Sequence, residues 1–385
     1  VGPFFGINPE YIKNEYLNEM KILRSTKCSV KFSTQKKKDQ LKTVLQEYGR
    51  VVNTFVDHFW TNPLQSKTEL LKPIVDIPQT WLSARLRQVD AREALDIISA
   101  SKERWKGKPN KLVKPVHKGK RMYVSCTIAE LTESKHAPKF DAWLHISSVG
   151  NKIVMDVPIK FHKHYNWLCA KGKRLNSYII TENYVQFVFE TETGSKKTGK
   201  NCIGIDTGIN ALASLSTGQQ FGTNIKLSIE RVKRCKQGSK GQLKLRRALK
   251  QIIDEVAKTI IAFEPDLVVV EKLKDLGKNG KLRRRLSKNI RRSIGTWNWK
   301  YWLGRVEQRC EDNRISFRTV SPCYTSQTCS RCGHVDRGNR DGEMFKCQKC
   351  GHTDNADINA SQNILGRFLT GPYGAGYKPL ICNFA

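Results

Sequence analysis

Apolar and polar side chains loosely alternate over residues 20–33, the period of a strand with one buried face. The period then lengthens. Leu41, Val44, Leu45, Tyr48, Val52, Phe55, Val56 and Phe59 recur at three- and four-residue steps, which predicts a long amphipathic helix. Pro63, Pro73 and Pro78 break it, and a second helical pattern runs from about Trp81 to Trp105. Its apolar side holds Leu82, Leu86, Val89, Ala94, Ile97 and Ile98. Residues 121–193 return to short runs, Tyr123–Ile128, Ala142–Ile146, Lys152–Val157, Ser177–Ile180 and Val185–Phe189, with turn residues between them. They predict a small β-barrel or sandwich. The opening strand can join that sheet, which leaves the helical pair as an insertion.

The character changes at Asn201. Cys202-Ile-Gly-Ile-Asp206 reads as a short apolar strand, Ala211–Ser216 as a second, and the turn Thr217-Gly218 leads into a third. Leu245, Ala248, Leu249, Ile252, Ile253, Val256, Ile260 and Ile261 make a helix that Pro265 stops, directly before the strand Leu267-Val-Val-Val-Glu271. Hairpin strands followed by a helix and a buried parallel strand give an α/β reading for this half.

Two acids stand where apolar neighbours make acids expensive, and a third accompanies them. Asp206 ends one apolar strand, Glu271 ends another, and Asp357 lies in Asn355-Ala-Asp-Ile-Asn-Ala-Ser-Gln-Asn-Ile, the pattern of a helix start. Taken singly, each reads as a solvated strand-end or helix-end residue. Together, on strand, strand and helix, they form a set of hard oxygen ligands suited to Mg²⁺. Two such ions about 3.5–4 Å apart can activate water and stabilise a leaving oxygen in phosphodiester hydrolysis. Cys329, Cys332, Cys347 and Cys350 add a C-x2-C-x14-C-x2-C array, each knuckle followed by Gly (Gly333, Gly351). Four thiolates close a tetrahedral Zn²⁺ site, which makes it structural rather than catalytic. His334 and His352 are then not ligands, and the other eight cysteines are scattered singly, as in a reducing compartment.

Composition narrows the partner. The 385 residues carry 68 Lys and Arg against 35 Asp and Glu, a net charge of +33, which points to a polyanion. Residues 102–121, 231–250 and 274–292 each hold nine Lys or Arg and at most one acid. Alone, each run reads as a linker or a charged helix face; flanking a metal site, they make a phosphate-backbone track. Trp297, Trp299, Tyr301 and Trp302, at helical spacing, read as core packing rather than base stacking. No stretch approaches the ~18 consecutive apolar residues of a membrane span, and Val1–Met20 has no apolar signal-peptide core. With 39% hydrophobic residues and eight Trp, the chain can bury real cores.

Gly204-Ile-Asp206-Thr-Gly-Ile, Val-Val-Val-Glu271, Thr325-Ser-Gln-Thr-Cys-Ser-Arg-Cys-Gly-His334, Phe345-Lys-Cys-Gln-Lys-Cys-Gly351 and Asn355-Ala-Asp357-Ile-Asn resemble the split RuvC nuclease and zinc ribbon of TnpB proteins. These are transposon-encoded and similar to the miniature type V CRISPR effectors. The motifs lie within about 200–365; upstream, the likeness is one of layout. It implies an RNase H-like (RuvC) α/β domain with an inserted ribbon, preceded by a wedge barrel of oligonucleotide-binding type with a helical recognition insertion. The implied boundaries are 1–36 and 119–197 for the wedge, 37–118 for the insertion, 198–320 and 355–385 for RuvC with the tail, and 321–354 for the ribbon.

By this resemblance the protein is an RNA-guided DNA endonuclease of the prokaryotic cytoplasm, with Asp206, Glu271 and Asp357 as catalytic triad. Its cofactors are two Mg²⁺ and one structural Zn²⁺. A guide RNA, with structured scaffold and guide segment, pairs with one strand of double-stranded target DNA while protein reads a short flanking motif. A monomer is expected, a homodimer being the alternative, and no membrane partner. With no His-Asn-His nuclease pattern, one site cuts both strands in succession. TnpB ribbons often carry Arg four residues before the third ligand, where this chain has Glu343. Arg340 instead matches the Asn-Arg of the miniature CRISPR-effector ribbons, which implies a phosphate contact, whereas the chain's length favours the transposon branch.

Other readings fit less of the chain. A cut-and-paste transposase orders its acids Asp–Asp–Glu, not Asp–Glu–Asp. A guide-independent, structure-specific nuclease leaves the upstream barrel and helices unexplained. An RNA-guided DNA-binding regulator without cleavage needs a lost acid, and a membrane-surface binder has no use for ribbon or triad.

Overall fold

The computed structural model describes residues 21–64, 70, 72–107, 109–134, 139–192, 194–273, 287, 292–293 and 295–370. The opening segment Val1–Met20, nearly all of the basic run 274–292 and the tail 371–385 lie outside the described residues. The chain forms two units, Lys21–Glu192 and one from Thr193 onward.

In the first unit, strand β1 (Lys21–Ser29) is followed by helices α1 (Gln35–Thr61) and α2 (Ala84–Arg104). Then come β2 (Met122–Ser125), β3 (Ala129–Glu133), β4 (Ala142–Ile146), β5 (Met155–Ile159), helix α3 (Lys163–Lys171), β6 (Gly172–Ile180) and β7 (Tyr184–Glu192). β1 pairs antiparallel with β7 along its whole length, from Lys21 opposite Glu192 to Ser29 opposite Tyr184, so the opening strand does join the later sheet. The backbone bonds make two sheets, β1-β7-β6-β2 and β3-β4-β5, over one shared core. β3 and α3 were not expected from the pattern. β3 buries only its first residue and α3 only Tyr165 and Leu168, too few positions to set a period.

The two helices start where side chains can satisfy their free N–H groups: Thr34 accepts from Lys37 N and Ser83 from Leu86 N. All eight apolar positions of the first helical pattern are buried. Leu45, Phe55 and Phe59, almost fully buried, each contribute roughly 1.5–3 kcal/mol. The basic stretch 102–121 is clipped to α1, where Asn53 bonds both the carbonyl and the N–H of His117.

Acids also sit on the buried side of α2. Glu93 accepts from the Tyr48 hydroxyl and from Arg121 Nη2, at 2.5 and 3.2 Å. Asp90 has no hydrogen-bond partner for either carboxylate oxygen among the described residues. Burial first, then Glu93 and Glu47, push its carboxyl well above the usual range.

The second unit centres on a five-stranded sheet of order β10-β9-β8-β11-β12: β8 (Cys202–Asp206), β9 (Ala213–Leu215), β10 (Gln220–Phe221), β11 (Leu267–Glu271) and β12 (Ser316–Val320). β8, β9 and β10 are antiparallel neighbours, whereas β8, β11 and β12 run parallel. Helices α4 (Ile225–Arg234) and α5 (Lys240–Ile261) lead into β11, and α6 (Trp299–Asp312) leads into β12. They pack on one face through Ile203, Ile205, Val268, Val270 and the buried Trp297 and Trp302, so these indoles belong to the core as expected. Helix α7 (Ala356–Thr370) covers the other face, where Val269, Val320 and Ile364 meet. Before α7 comes a small sheet of β13 (Arg340–Asp341), β14 (Met344–Lys346) and β15 (Thr353–Asn355). No described helix is long and apolar enough to cross a membrane.

α7 lies very close to β8 because residue 204 is glycine. A Cβ there would collide with the Ser361 carbonyl oxygen and lie 2.8 Å from Leu365 Cβ. Gly204→Ala should therefore destabilise the second unit by about 1–3 kcal/mol in urea unfolding, as overpacking does; an unchanged midpoint would count against this packing. For Asp90, the folded state favours the protonated form. Its stabilisation is full below about pH 4, the unfolded carboxyl's range, and is lost as pH rises. Asp90→Asn should thus raise stability near neutral pH by on the order of 1 kcal/mol and leave it unchanged at about pH 4. Equal melting curves for the two proteins at neutral pH would refute this.

Candidate metal centres

Side chains alternate across a strand, so position parity decides which face each acid joins. On β8, Ile203 and Ile205 face α5 and α6, while Gly204 faces α7; Asp206 shares the parity of Gly204. On β11, Val268 and Val270 face the first set of helices and Val269 faces α7; Glu271 shares the parity of Val269. The two strands are parallel, with Ile205 opposite Val270, so Asp206 and Glu271 follow at equivalent positions at the carboxyl ends. α7 supplies the third acid. Asn355 caps it, its side-chain oxygen accepting from Asp357 N at 2.9 Å and Ile358 N at 3.2 Å. Asp357 is thereby fixed in the first turn, where the helix dipole favours negative charge. A Cβ on Gly208, two residues past Asp206, would be 3.8 Å from Asp357 Oδ2. The structure thus brings all three predicted acids to one edge of the sheet.

The three acids act on one another electrostatically. Burial, then the charges of Glu271 and Asp357, push the Asp206 carboxyl up to about 8, with Arg340 and the Thr207 N–H acting against them. Glu271 is also raised, chiefly by burial, and is held down by the Thr325 hydroxyl, Arg367 and Arg340. Arg340 Nη2 donates to Asp357 Oδ1 at 2.8 Å and Arg340 Nε to the Gly342 carbonyl at 3.1 Å. Arg340, which the resemblance cast as a phosphate contact, is here engaged with an acid of the site.

Pattern reading missed several residues that hold this arrangement. Thr325 is 3% exposed and donates to Glu271 Oε1. Asn359 Nδ2 donates to the Thr328 carbonyl at 2.8 Å while its oxygen accepts from Ser330 N at 2.9 Å. Asn363 Nδ2 donates to the carbonyls of Thr325 and Thr328. Glu343, where the sequence departs from the TnpB pattern, accepts from Asn210 Nδ2 at 2.7 Å, and its carbonyl accepts from Ala356 N at 2.8 Å. Their one signal was polar residues recurring along the apolar side of α7 and ahead of the first cysteine.

The four cysteines converge. Cys329 Sγ is 3.7 Å from Cys350 Sγ, and Cys332 Sγ is 3.6 Å from Cys347 Sγ. Four thiolates about 2.3 Å from a tetrahedral Zn²⁺ would be about 3.8 Å apart, so the set fits that ion. Gly333 and Gly351 take positive φ, 72° and 69°, and allow each knuckle to turn. His334 and His352 contribute backbone carbonyls to the knuckles, accepting from Cys329 N and Cys347 N. Among the described residues, no other set of three acidic, imidazole or thiol groups brings its donor atoms within 4.8 Å of one another. The three carboxylates are therefore grouped more loosely than the thiols.

Residues 299–364 match the family described as Cas12f1-like, TNB domain. Over 70 residues, 17% of this chain and 17% of the relative, the sequence is 44% identical to the CRISPR-associated endodeoxyribonuclease Cas12f1 of Sulfoacidibacillus thermotolerans. Over 137 residues, 34% of this chain and 42% of the relative, it is 35% identical to the TnpB-like protein aq_aa05 of Aquifex aeolicus (strain VF5). Matches to curated relatives span between 14% and 44% of those proteins' own lengths. Among solved structures, the Cas12f1-sgRNA-target DNA complex has a chain similar over 87% of this one and 84% of its own, with TM-score 0.52 and 16% identity. At that identity the likeness is one of fold. By matched domain, relatives and fold, this chain is akin to the TnpB proteins and the miniature type V CRISPR effectors.

Proposed function

We propose that this chain is an RNA-guided endonuclease that cleaves double-stranded DNA beside a short flanking motif, at a single RuvC-type site. The observation that carries the reading is the grouping of Asp206, Glu271 and Asp357 at the carboxyl edge of the five-stranded sheet. The strand order, three antiparallel strands followed by two parallel ones, supports an RNase H-like assignment. The donor set supports the cofactor: three hard carboxylates suit Mg²⁺, and the raised Asp206 marks negative charge that a cation would relieve. Asp206, Glu271 and Asp357 would hold two Mg²⁺, which supply water activation and leaving-oxygen stabilisation in phosphodiester hydrolysis. The four cysteines would hold one structural Zn²⁺.

The chain's own residues prepare that site. Thr325 fixes the orientation of Glu271, and Arg340 holds Asp357 while lowering the repulsion among the acids. The ribbon, tied to α7 through Asn359 and Asn363, keeps both of these side chains in reach. The net charge of +33 suits an RNA and a DNA partner together. Relatives named endodeoxyribonucleases, and a neighbour solved with guide RNA and target DNA, favour the same substrate class. Base pairing would supply sequence specificity, and protein would read the flanking motif.

Three experiments test this. The full chain, purified from cells carrying its native flanking DNA, should bring down one abundant RNA with a structured part and an end matching outside DNA. With that RNA and Mg²⁺, Asp206→Ala should lower cleavage at least about 10³-fold, several kcal/mol of barrier, while RNA and target binding stay near normal. Wild-type cleavage by the variant would sink the triad, and absence of a discrete RNA would favour a guide-independent nuclease. For the ribbon, Cys347→Ser should drop bound zinc from one ion per chain toward none and remove amide protection there, because binding and folding are linked. Undiminished zinc content would refute the thiolate site.

A further inference from the structure

Helix α3 in the first unit does work for the core on one side only. Tyr165 and Leu168 are buried, Tyr165 stacking on Phe161 and meeting Phe187 and Phe189 edge-on. Beside this buried face, His164, Trp167 and Lys171 follow at three- and four-residue steps on an exposed face, and Trp167 is 40% exposed. The His164 and Trp167 rings are nearly parallel, 20° apart with centroids 5.6 Å apart. His162 continues the run, 9° from the plane of His164 at 6.3 Å. The Lys171 ammonium rests 4.5 Å from the Trp167 ring centroid.

Along the chain, the charged residues flanking this stripe are of one sign. Residues 157–181 contain Lys160, Lys163, Lys171, Lys173 and Arg174, two histidines, and no Asp or Glu. Lys160 is paired with Asp141, but Lys163 and Lys171 make no ion pair among the described residues. An exposed indole in a near-parallel ring stack, with ammonium groups that make no ion pair among the described residues on the same short helix, has the composition of a platform for unpaired bases. A base offers a flat π-face to the indole, and its phosphate offers an anion to the lysines. Duplex nucleic acid has no free base face to give.

We propose that the His164–Trp167–Lys171 stripe of α3 stacks an unpaired base of the guide RNA, an assignment that rests on the RNA-guided reading above. When a base takes the indole face, the Lys171 ammonium leaves the ring for the adjoining phosphate.

The test measures binding of a short labelled oligouridylate, the corresponding oligothymidylate and an RNA duplex to the full chain and to two variants. Trp167→Ala should weaken oligouridylate binding about tenfold and leave duplex binding unchanged, while Trp167→Phe, which keeps a ring, stays near wild type. Ultraviolet crosslinking of the wild type to oligouridylate should map to the peptide containing Trp167. Unchanged oligouridylate binding by Trp167→Ala, or an equal loss on duplex RNA, overturns the stacking site. Stacking with a phosphate contact does not tell RNA from DNA, so oligothymidylate should lose affinity in parallel; in the copurified complex, a Trp167 crosslink to target DNA rather than to the RNA overturns its assignment to RNA. The two readings also fail separately. If no RNA copurifies from cells yet Trp167→Ala still loses oligouridylate binding, the guided reading falls and the stripe stands as a single-stranded nucleic-acid site.

Discussion

Like charges held at the edge of an apolar sheet repel one another, and the architecture around Asp206, Glu271 and Asp357 is organised by that repulsion. Like charges repel more strongly beside a low-dielectric core than in water. Burial adds to this, which is why the Asp206 carboxyl is pushed up to about 8. The chain answers in two ways. It supplies partial compensation through Arg340 on Asp357 and through Thr325, Arg367 and Arg340 around Glu271. It also removes freedom: each acid sits on an element whose register is set by a core, so none can turn away. A one-residue slip of β11 would send Glu271 to the opposite face with Val268 and Val270.

The ribbon is the second half of that answer. It lies between β12 and α7 in the chain, and its own hydrophobic contacts are few: Cys329, Phe345, Cys347 and Ala356. A core that small needs a metal to order it. Once ordered, it is fastened to α7 by Asn359 and Asn363, both bonding carbonyls of the segment 325–328, and to the loop after β8 by Glu343. The bonds of Asn359 and Asn363 are fully or partly buried, where losing a partner costs the full desolvation of the group left behind, whereas that of Glu343 is exposed. Loosening the thiolate site therefore reaches the carboxylates through Thr325 and Arg340, although the ribbon contributes none of the three acids.

Much of this was legible because it is written in periods. The eight-residue stripe of α1, the strands ending in Asp206 and Glu271, the helix start at Asn355 and the spacing of the cysteines are local patterns, and each turns up in the structure. Elements that bury few residues were not legible. α3 buries two, and β6 runs from Gly172 although only Tyr178 and Ile180 near its end are buried, so the pattern begins it at Ser177. Buried polar residues escaped as well. A hydrophobic period has no place for Asp90 or Glu93 on the inner side of α2, nor for Asn359 on that of α7. Their partners come from distant segments, and no local rule brings Thr325 to Glu271.

The location of the site follows from topology more than from any one residue. From β8 the chain turns to one side of the sheet, through β9 and β10, and returns by α4 and α5 to enter β11 on the other side of β8. From β11 it moves away again, through α6 to β12. Connections leaving the carboxyl ends of β8 and β11 thus diverge, and in open α/β sheets a crevice forms at such a switch point. Asp206 and Glu271 are the last residues of those two strands. An acid one position earlier on either strand would face α5 and α6 and be sealed in the core, and one on β10 or β12 would lie beyond the divergence. The carboxyl ends of β8 and β11 place these two side chains next to each other, on one face of the sheet, at that switch point.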